Sequence, residues 1–355
     1  MADSAKKTTE FTAILDEAVT NVAVDNGYAD QKVAYWALDN NGDRVIAELL
    51  IPSRAQMGAI NISIDGKSSG VYEIDGDPWT VGKDVSEPES IRGEKYAHSD
   101  LNTVLVNHSL IAAGFGGKEV RIYTGLPFDH FYSDNEVNVE LINRVKTSLK
   151  KELIPKGETL PATIVRHDVF PESTAAFIDY AFDEKTQMMK HDFEMGIAVV
   201  DIGGNTTDIT YITPEGEDEN IRYIVNRQKS GSRKLGVLNV RDRLRRLIQE
   251  EFKVDGLRDA QLDRAIRTGF CKIFGKEQNV QTQIDSAKRE SVKKLMNYVE
   301  EMVGDAGDLD MVLFVGGGAA VLSDVITEYP HARVPERPQF ANARGMLKFM
   351  TFIHE

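Results

Sequence analysis

Two stretches of the chain carry carboxylates on glycine turns. In "VAVDNGYADQK" (22–32) an apolar run delivers Asp25 into a turn with Gly27, Tyr28 and Ala29, and Lys32 follows on the return. In "AVVDIGGNTTDITYI" (198–212) Asp201 enters a turn of Gly203, Gly204, Asn205 and Thr206, with Asp208 beyond it. A plain hairpin needs only the glycines. Glycine-rich turns expose successive backbone N–H groups, which form a concave site for phosphate oxygens. The missing Cβ lets the anion approach closely, and Thr206 adds a hydroxyl donor. An aspartate beside phosphate requires a cation. Mg²⁺, held through water, one or two carboxylates and the phosphates themselves, meets that need. Asp25 and Asp201 are thus candidate metal ligands, and Lys32 a candidate point charge for a phosphate. A third turn, "FVGGGAAVL" (314–322), sets Gly316, Gly317 and Gly318 between strand and helix, where backbone would lie flat against a nucleotide. Each turn alone also reads as a tight structural turn. Two carboxylate tips at matching places favour the paired reading.

The elements that must position these turns repeat along the chain. The first tip lies between two strands over 20–38 and the second within 197–212, about half the chain apart. The pattern predicts two similar α/β halves with facing hairpin tips. In the first half, alternating segments with Gly turns over 45–82 predict a small β-rich subdomain. Strands follow at 119–127 and 162–173. Helices are predicted over 99–114, ending at Gly114, over 134–152, capped by Asp134, and over 174–182. In the second half, a strand at 221–226 precedes a charged helix over 237–252. A helix over 285–303 carries Val292, Leu295, Met296, Val299, Met302 and Val303 on one face. Ahead of both halves, residues 1–19 form an extension. Phe11, Ile14, Leu15, Ala18 and Val19 recur there at helical spacing, which fits an amphipathic helix or a frayed tail.

The 355 residues suffice for two cores, and 41% hydrophobic content fits a globular chain. A net charge of −14 argues against direct tight DNA binding, whose affinity rests on basic groups displacing counterions. The single cysteine, Cys271, permits no intrachain disulfide and fits a reducing cytoplasm. It reads as structural, as do Trp36 and Trp79. The seven histidines show no metal-ligand spacing. No apolar run reaches the roughly 18 residues of a membrane span, and the polar start, Met1 to Glu10, has no signal-peptide core. A cytoplasmic protein without a membrane partner is expected.

The three turns together resemble the phosphate-1, phosphate-2 and adenosine motifs of the actin, Hsp70 and sugar-kinase ATPase fold. Further segments are similar to the ParM (StbA) family of plasmid-segregation actins: "YTGLPFDHFY" (123–132), "FPESTAAF" (170–177), "SRKLGVLNV" (232–240) and "NARGMLKFM" (342–350). The matches run in order from about residue 20 to residue 355. The resemblance implies an α/β, actin-like fold of two ribonuclease-H-like domains around a nucleotide cleft, each with a smaller subdomain. The first would span 20–195, with a β-rich insertion about 45–98 and a closing helix about 341–355. The second would span 196–340, with a helical subdomain about 237–305. It implies ATP or GTP with Mg²⁺ as cofactors and hydrolysis by Glu172, which would orient or deprotonate the attacking water. Without the resemblance, Glu172 reads more readily as an acid at a helix start than as a catalytic group. Asp201 would hold the metal shell, shared with Asp25. Gly236 and Asn239 would face ribose or base. Tyr28 stands where relatives place a small hydroxyl residue, so contact there would rest on backbone N–H. Asp208 is expected to accept bonds within its own hairpin.

The resemblance further implies self-assembly into filaments that hydrolysis weakens, and a ParR-like DNA-binding adaptor on a centromere-like site. Arg241, Arg243, Arg245 and Arg246 read as a solvated helix face or a filament contact. Three rivals share the fold. A small-molecule kinase would need a base beside a substrate pocket, and no convincing one stands out. A chaperone-type ATPase would need a substrate domain after the third turn, and the sequence ends at Glu355. A non-hydrolysing scaffold would bind nucleotide without cleaving it.

Overall fold

The computed structural model describes residues 12–13, 18–58, 70–82, 85, 88–89, 95–134, 136–157, 159–190, 193–216, 221–323, 326 and 329–354. Most of the expected N-terminal helix lies outside these residues. Thr12–Ala13 is instead a short strand, β1, paired with Leu38 and Ala37.

Two six-stranded sheets share one plan. In the first, β2 (Thr20–Asn26), β3 (Asp30–Leu38) and β4 (Arg44–Pro52) run antiparallel, while β8 (Glu119–Leu126) and β12 (Thr163–Pro171) extend from β2 in parallel. In the second, β13 (Ile197–Ile202) and β14 (Thr207–Glu215) are antiparallel. β15 (Arg222–Val225) and β16 (Gly231–Arg233) pair with β14. β19 (Met311–Val315) and β20 (Ala332–Arg333) extend from β13 in parallel. The strand Arg44–Pro52, which opens the segment 45–98, therefore belongs to the first large sheet. A separate small sheet follows, built from β5 (Ala55–Met57), β6 (Val71–Ile74), β7 (Asp77–Val81) and β11 (Ile154–Pro155).

Strand alternation decides which face each residue covers. Val22 and Val24 pack with Val106 and Leu110 of α1 (Asp100–Leu110). Ala23 faces the other side, with Met346 and Leu347 of α9 (Ala341–Phe352). Ser99 caps α1, its hydroxyl accepting the Asn102 N–H, and Gly114 ends the following π turn at φ 89°. The helix expected over 134–152 is shorter. After α2 (Phe128–Phe131), β9 (Tyr132–Ser133) and β10 (Glu136–Val137) form a hairpin whose turn holds Asp134 at φ 48°. Asn138, not Asp134, then caps α3 (Val139–Ser148).

The second half adds α5 (Val237–Phe252), α6 (Asp259–Thr268), the hairpin β17 (Phe270–Ile273) and β18 (Lys276–Asn279), and α7 (Gln281–Val303). The last begins four residues before the predicted 285. Its apolar face joins Val200, Ile209 and Phe314 in a common core with buried Cys271. α8 (Gly316–Leu322) follows β19.

Two helices join the halves. α4 (Thr174–Ala181) packs Phe177 and Ile178 with Val199 and Leu313 of the second sheet, while α9 covers the first. They cross where a side chain on Gly345 would collide with the Ala175 carbonyl. A buried ionic chain reinforces the crossing: Arg344 donates to Asp179 (2.8 Å) and Glu48 (2.9 Å), and Lys348 to Asp179 (2.8 Å).

Candidate active site

The two hairpins place charge at equivalent points. Asp25 pairs in register with Lys32, and Asp201 with Asp208. The duplicated plan thus sets a lysine and an aspartate at corresponding positions of the return strands. Lys32 Nζ lies 3.3 Å from Asp25. Burial pulls the Lys32 pKa down, but Asp25 and Asp30 outweigh it, so the ammonium is held above its ordinary value. Gly27 lets the ammonium lie close over the turn: a Cβ there would stand 2.5 Å from that nitrogen and displace it.

The tips touch. A Cβ on Gly204 would sit 2.9 Å from the Ala29 nitrogen. The second tip is braced from behind: Val237 and Leu238 N–H donate to the Gly203 and Gly204 carbonyls (3.1 and 2.9 Å). This seats α5 so closely that a Cβ on Gly236 would strike Gly204. Gly203 N–H closes the turn on Thr206 O (2.9 Å). Among the described residues, the N–H groups of Gly204, Asn205 and Thr206 find no protein acceptor. These are the donors a phosphate would use.

The third turn divides its work. Gly316, at φ 83°, presses on Asp201 and Ile202, and Gly318 presses on Ile202. Both are needed for close packing against β13. Only Gly317 of the three has open space above it. It lines a cleft of about 940 Å³ with Tyr28, Ala29, Lys32 and Gly204. Tyr28 rests on Tyr96, their ring centroids 5.4 Å apart. Asn239 lies instead in a neighbouring 220 Å³ cavity with Gly236.

Glu172 follows β12. Its N–H donates to the Leu126 carbonyl (2.8 Å), and its side chain packs so closely over Gly125 that a Cβ there would be 2.8 Å from its carboxylate. Burial pushes its pKa well above the usual carboxylate range, reinforced by Asp25, Asp208 and Asp201. Burial also raises Asp201 to about 7, with Asp208 and Asp25 adding to the effect. Carboxylates with raised pKa gathered in a cleft mark a candidate functional site.

Asn342, at the start of α9, had no role predicted from sequence. Its amide donates to Asp201 (2.6 Å) and accepts the Ser173 N–H (3.1 Å). One side chain therefore ties Asp201 to the residue after Glu172. Ser173 itself is buried at φ 60°. In the arginine run of α5, Arg246 is exposed, as a solvated face expects, while Arg241, Arg243 and Arg245 are engaged in ion pairs. Arg241 pairs with Asp259 (3.0 Å), Arg243 with Glu290 (2.7 Å) and Arg245 with Asp242 (3.0 Å), since α6 and α7 bring acids against it.

Among the described residues no three His, Cys, Asp or Glu side chains converge as a metal cage. Two carboxylates on opposed tips fit the alternative, a cation completed by water and phosphate. No described helix is long and apolar enough to cross a membrane.

Residues 20–182 match the family model of the plasmid segregation protein ParM, N-terminal, and residues 199–328 that of the archaeal actin homologue MreB-like, C-terminal. No curated protein matches the sequence. Among solved structures, a 15-stranded ParM filament from Clostridium botulinum is similar at 19% identity and TM-score 0.68, over 93% of this chain and 98% of that one. An archaeal actin homologue in complex with ADP is similar at 20% identity and TM-score 0.70, over 92% and 98%. Bacillus thuringiensis ParM with ADP is similar at 17% identity and TM-score 0.61, over 93% and 98%. The chain has the actin-like fold, and its first half matches the ParM N-terminal family model.

Proposed function

We propose that the chain is an ATPase, or GTPase, that polymerises with bound nucleotide and drives DNA segregation through a ParR-like adaptor. The observation that carries the catalytic part is the pair of touching tips: free N–H groups on Gly204–Thr206, Lys32 beside them, and buried carboxylates on both sides. The ADP complexes and the filament among the structural relatives support nucleotide binding and assembly by analogy.

In this reading the tips grip the phosphates and Lys32 supplies positive charge. Asp25 and Asp201 hold Mg²⁺, which supplies charge neutralisation at the phosphates. Glu172, standing at the end of β12, orients the attacking water and takes its proton. Its raised proton affinity makes it an effective base once ionised. Contacts from both halves to a triphosphate favour the closed cleft, and loss of the γ-phosphate removes part of that bias. Closed subunits joined head to tail build an open helix rather than a ring. The acidic chain leaves DNA contact to the adaptor.

Phosphate release from ATP and GTP, with Mg²⁺ and with the metal chelated, tests the catalytic part. Release that depends on Mg²⁺ is expected. Binding without turnover would instead identify a scaffold.

A further inference from the structure

Asp208 does more than brace its own hairpin. Its Oδ1 accepts the N–H of Phe128 (2.7 Å), a residue of the first half, and the hydroxyl of Ser232 on β16. Ser232 and Asp129 complete a reciprocal pair: Asp129 N–H donates to Ser232 Oγ (3.1 Å), and Ser232 N–H to Asp129 Oδ2 (2.9 Å). Arg227, from the second half, stacks over the Tyr132 ring at 4.4 Å. These contacts join the second phosphate-binding tip to the short segment after β8. Two residues earlier that segment carries Leu126, whose carbonyl holds the Glu172 N–H at 2.8 Å. Pro127 stands between them and restricts the backbone. Asp208 is also in register with Asp201 and bonded to Thr206.

We infer that Asp208, with Ser232, is a positioning residue for hydrolysis: it fixes the distance between the second phosphate tip and Glu172 by clasping Phe128. This rests on the hydrolytic reading of the cleft. The clasp itself uses the acceptor oxygen of Asp208, because both groups bound to Oδ1 are neutral donors; its charge acts separately, as one of the neighbours that raise Glu172. A catalytic group misplaced by about 1 Å loses on the order of a hundredfold in rate, whereas the N–H groups that bind phosphate stay in their own turn. Loosening the clasp therefore lowers the rate constant for cleavage and spares affinity.

The test uses the full chain. Affinity for a fluorescent ATP analogue and single-turnover phosphate release are measured for wild type, Asp208→Ala, Asp208→Asn and Ser232→Ala. Expected are affinities within about threefold of wild type throughout. Cleavage should be slowed at least about tenfold in Asp208→Ala, a smaller loss in Ser232→Ala, and most of the rate regained in Asp208→Asn, whose amide oxygen still accepts the Phe128 N–H. Equal losses in Asp208→Asn and Asp208→Ala would show that charge is what counts and overturn the inference. So would unchanged cleavage in Ser232→Ala, which decides the matter if Asp208→Ala does not fold. A wild type that binds but never cleaves overturns the hydrolytic reading itself. A cleaving wild type with an equally fast Asp208→Ala overturns only the clasp.

Discussion

At the scale of single residues, the sharpest assignment is Glu172. Burial and three neighbouring carboxylates raise its proton affinity, and its backbone is pinned to Leu126. Glu172→Ala should slow phosphate release by about a hundredfold and prolong the life of filaments, read together by phosphate assay and light scattering. Unchanged turnover would place the catalytic group elsewhere. His167 offers a prediction about stability. Burial pushes its imidazole down to about 3, with Nε2 2.9 Å from Thr124 Oγ1. Below its unfolded value near 6.5, the unfolded chain takes a proton that the folded one refuses. Stability from this group is thus complete above pH 6.5 and lost as pH falls toward 3. At pH 4.5 the loss is about 3 kcal/mol. His167→Gln should flatten that part of the acid-denaturation slope in urea titrations.

At the scale of elements, the two halves are held together at the crossing of α4 and α9. Gly345 lies against the Ala175 carbonyl, so Gly345→Ala should cost about 3 kcal/mol through overpacking. Arg344→Ala should cost about 3–5 kcal/mol, because it leaves Asp179 and Glu48 buried without their partner. Chemical denaturation of both variants checks these values. The sequence made the strands and tips readable, since apolar alternation broken by Asp-x-Gly is a local signal. It did not show what reaches the tips from afar. Asn342 is 141 positions from Asp201, and Phe128 is 80 from Asp208; no periodicity encodes either pairing. The ion pairs of Arg241 and Arg243 were hidden for the same reason, their acids coming from α6 and α7. Asp134 and Asn138 are both acceptable helix caps by residue type. The β9–β10 hairpin, a tertiary feature, chose between them.

At the scale of the whole molecule, two sheets of one plan meet at a cleft, joined by α4 and α9 and at the touching tips. In the proposed reading, nucleotide that bridges the tips binds the folded chain and not the unfolded one. Saturation at one hundred times the dissociation constant should therefore raise stability by about 2.7 kcal/mol, visible as an upward thermal shift. The central claim is that the triphosphate state governs assembly. The most direct measurement is high-speed sedimentation without nucleotide and with ADP, ATP or GTP, each with Mg²⁺, phosphate release being followed in the same tubes. The account predicts that a triphosphate sends the chain to the pellet, that phosphate release follows, and that the ADP sample stays in the supernatant. A chain that hydrolyses the triphosphate yet remains in the supernatant under all four conditions would contradict it, and would point to a soluble kinase-like enzyme on the same fold.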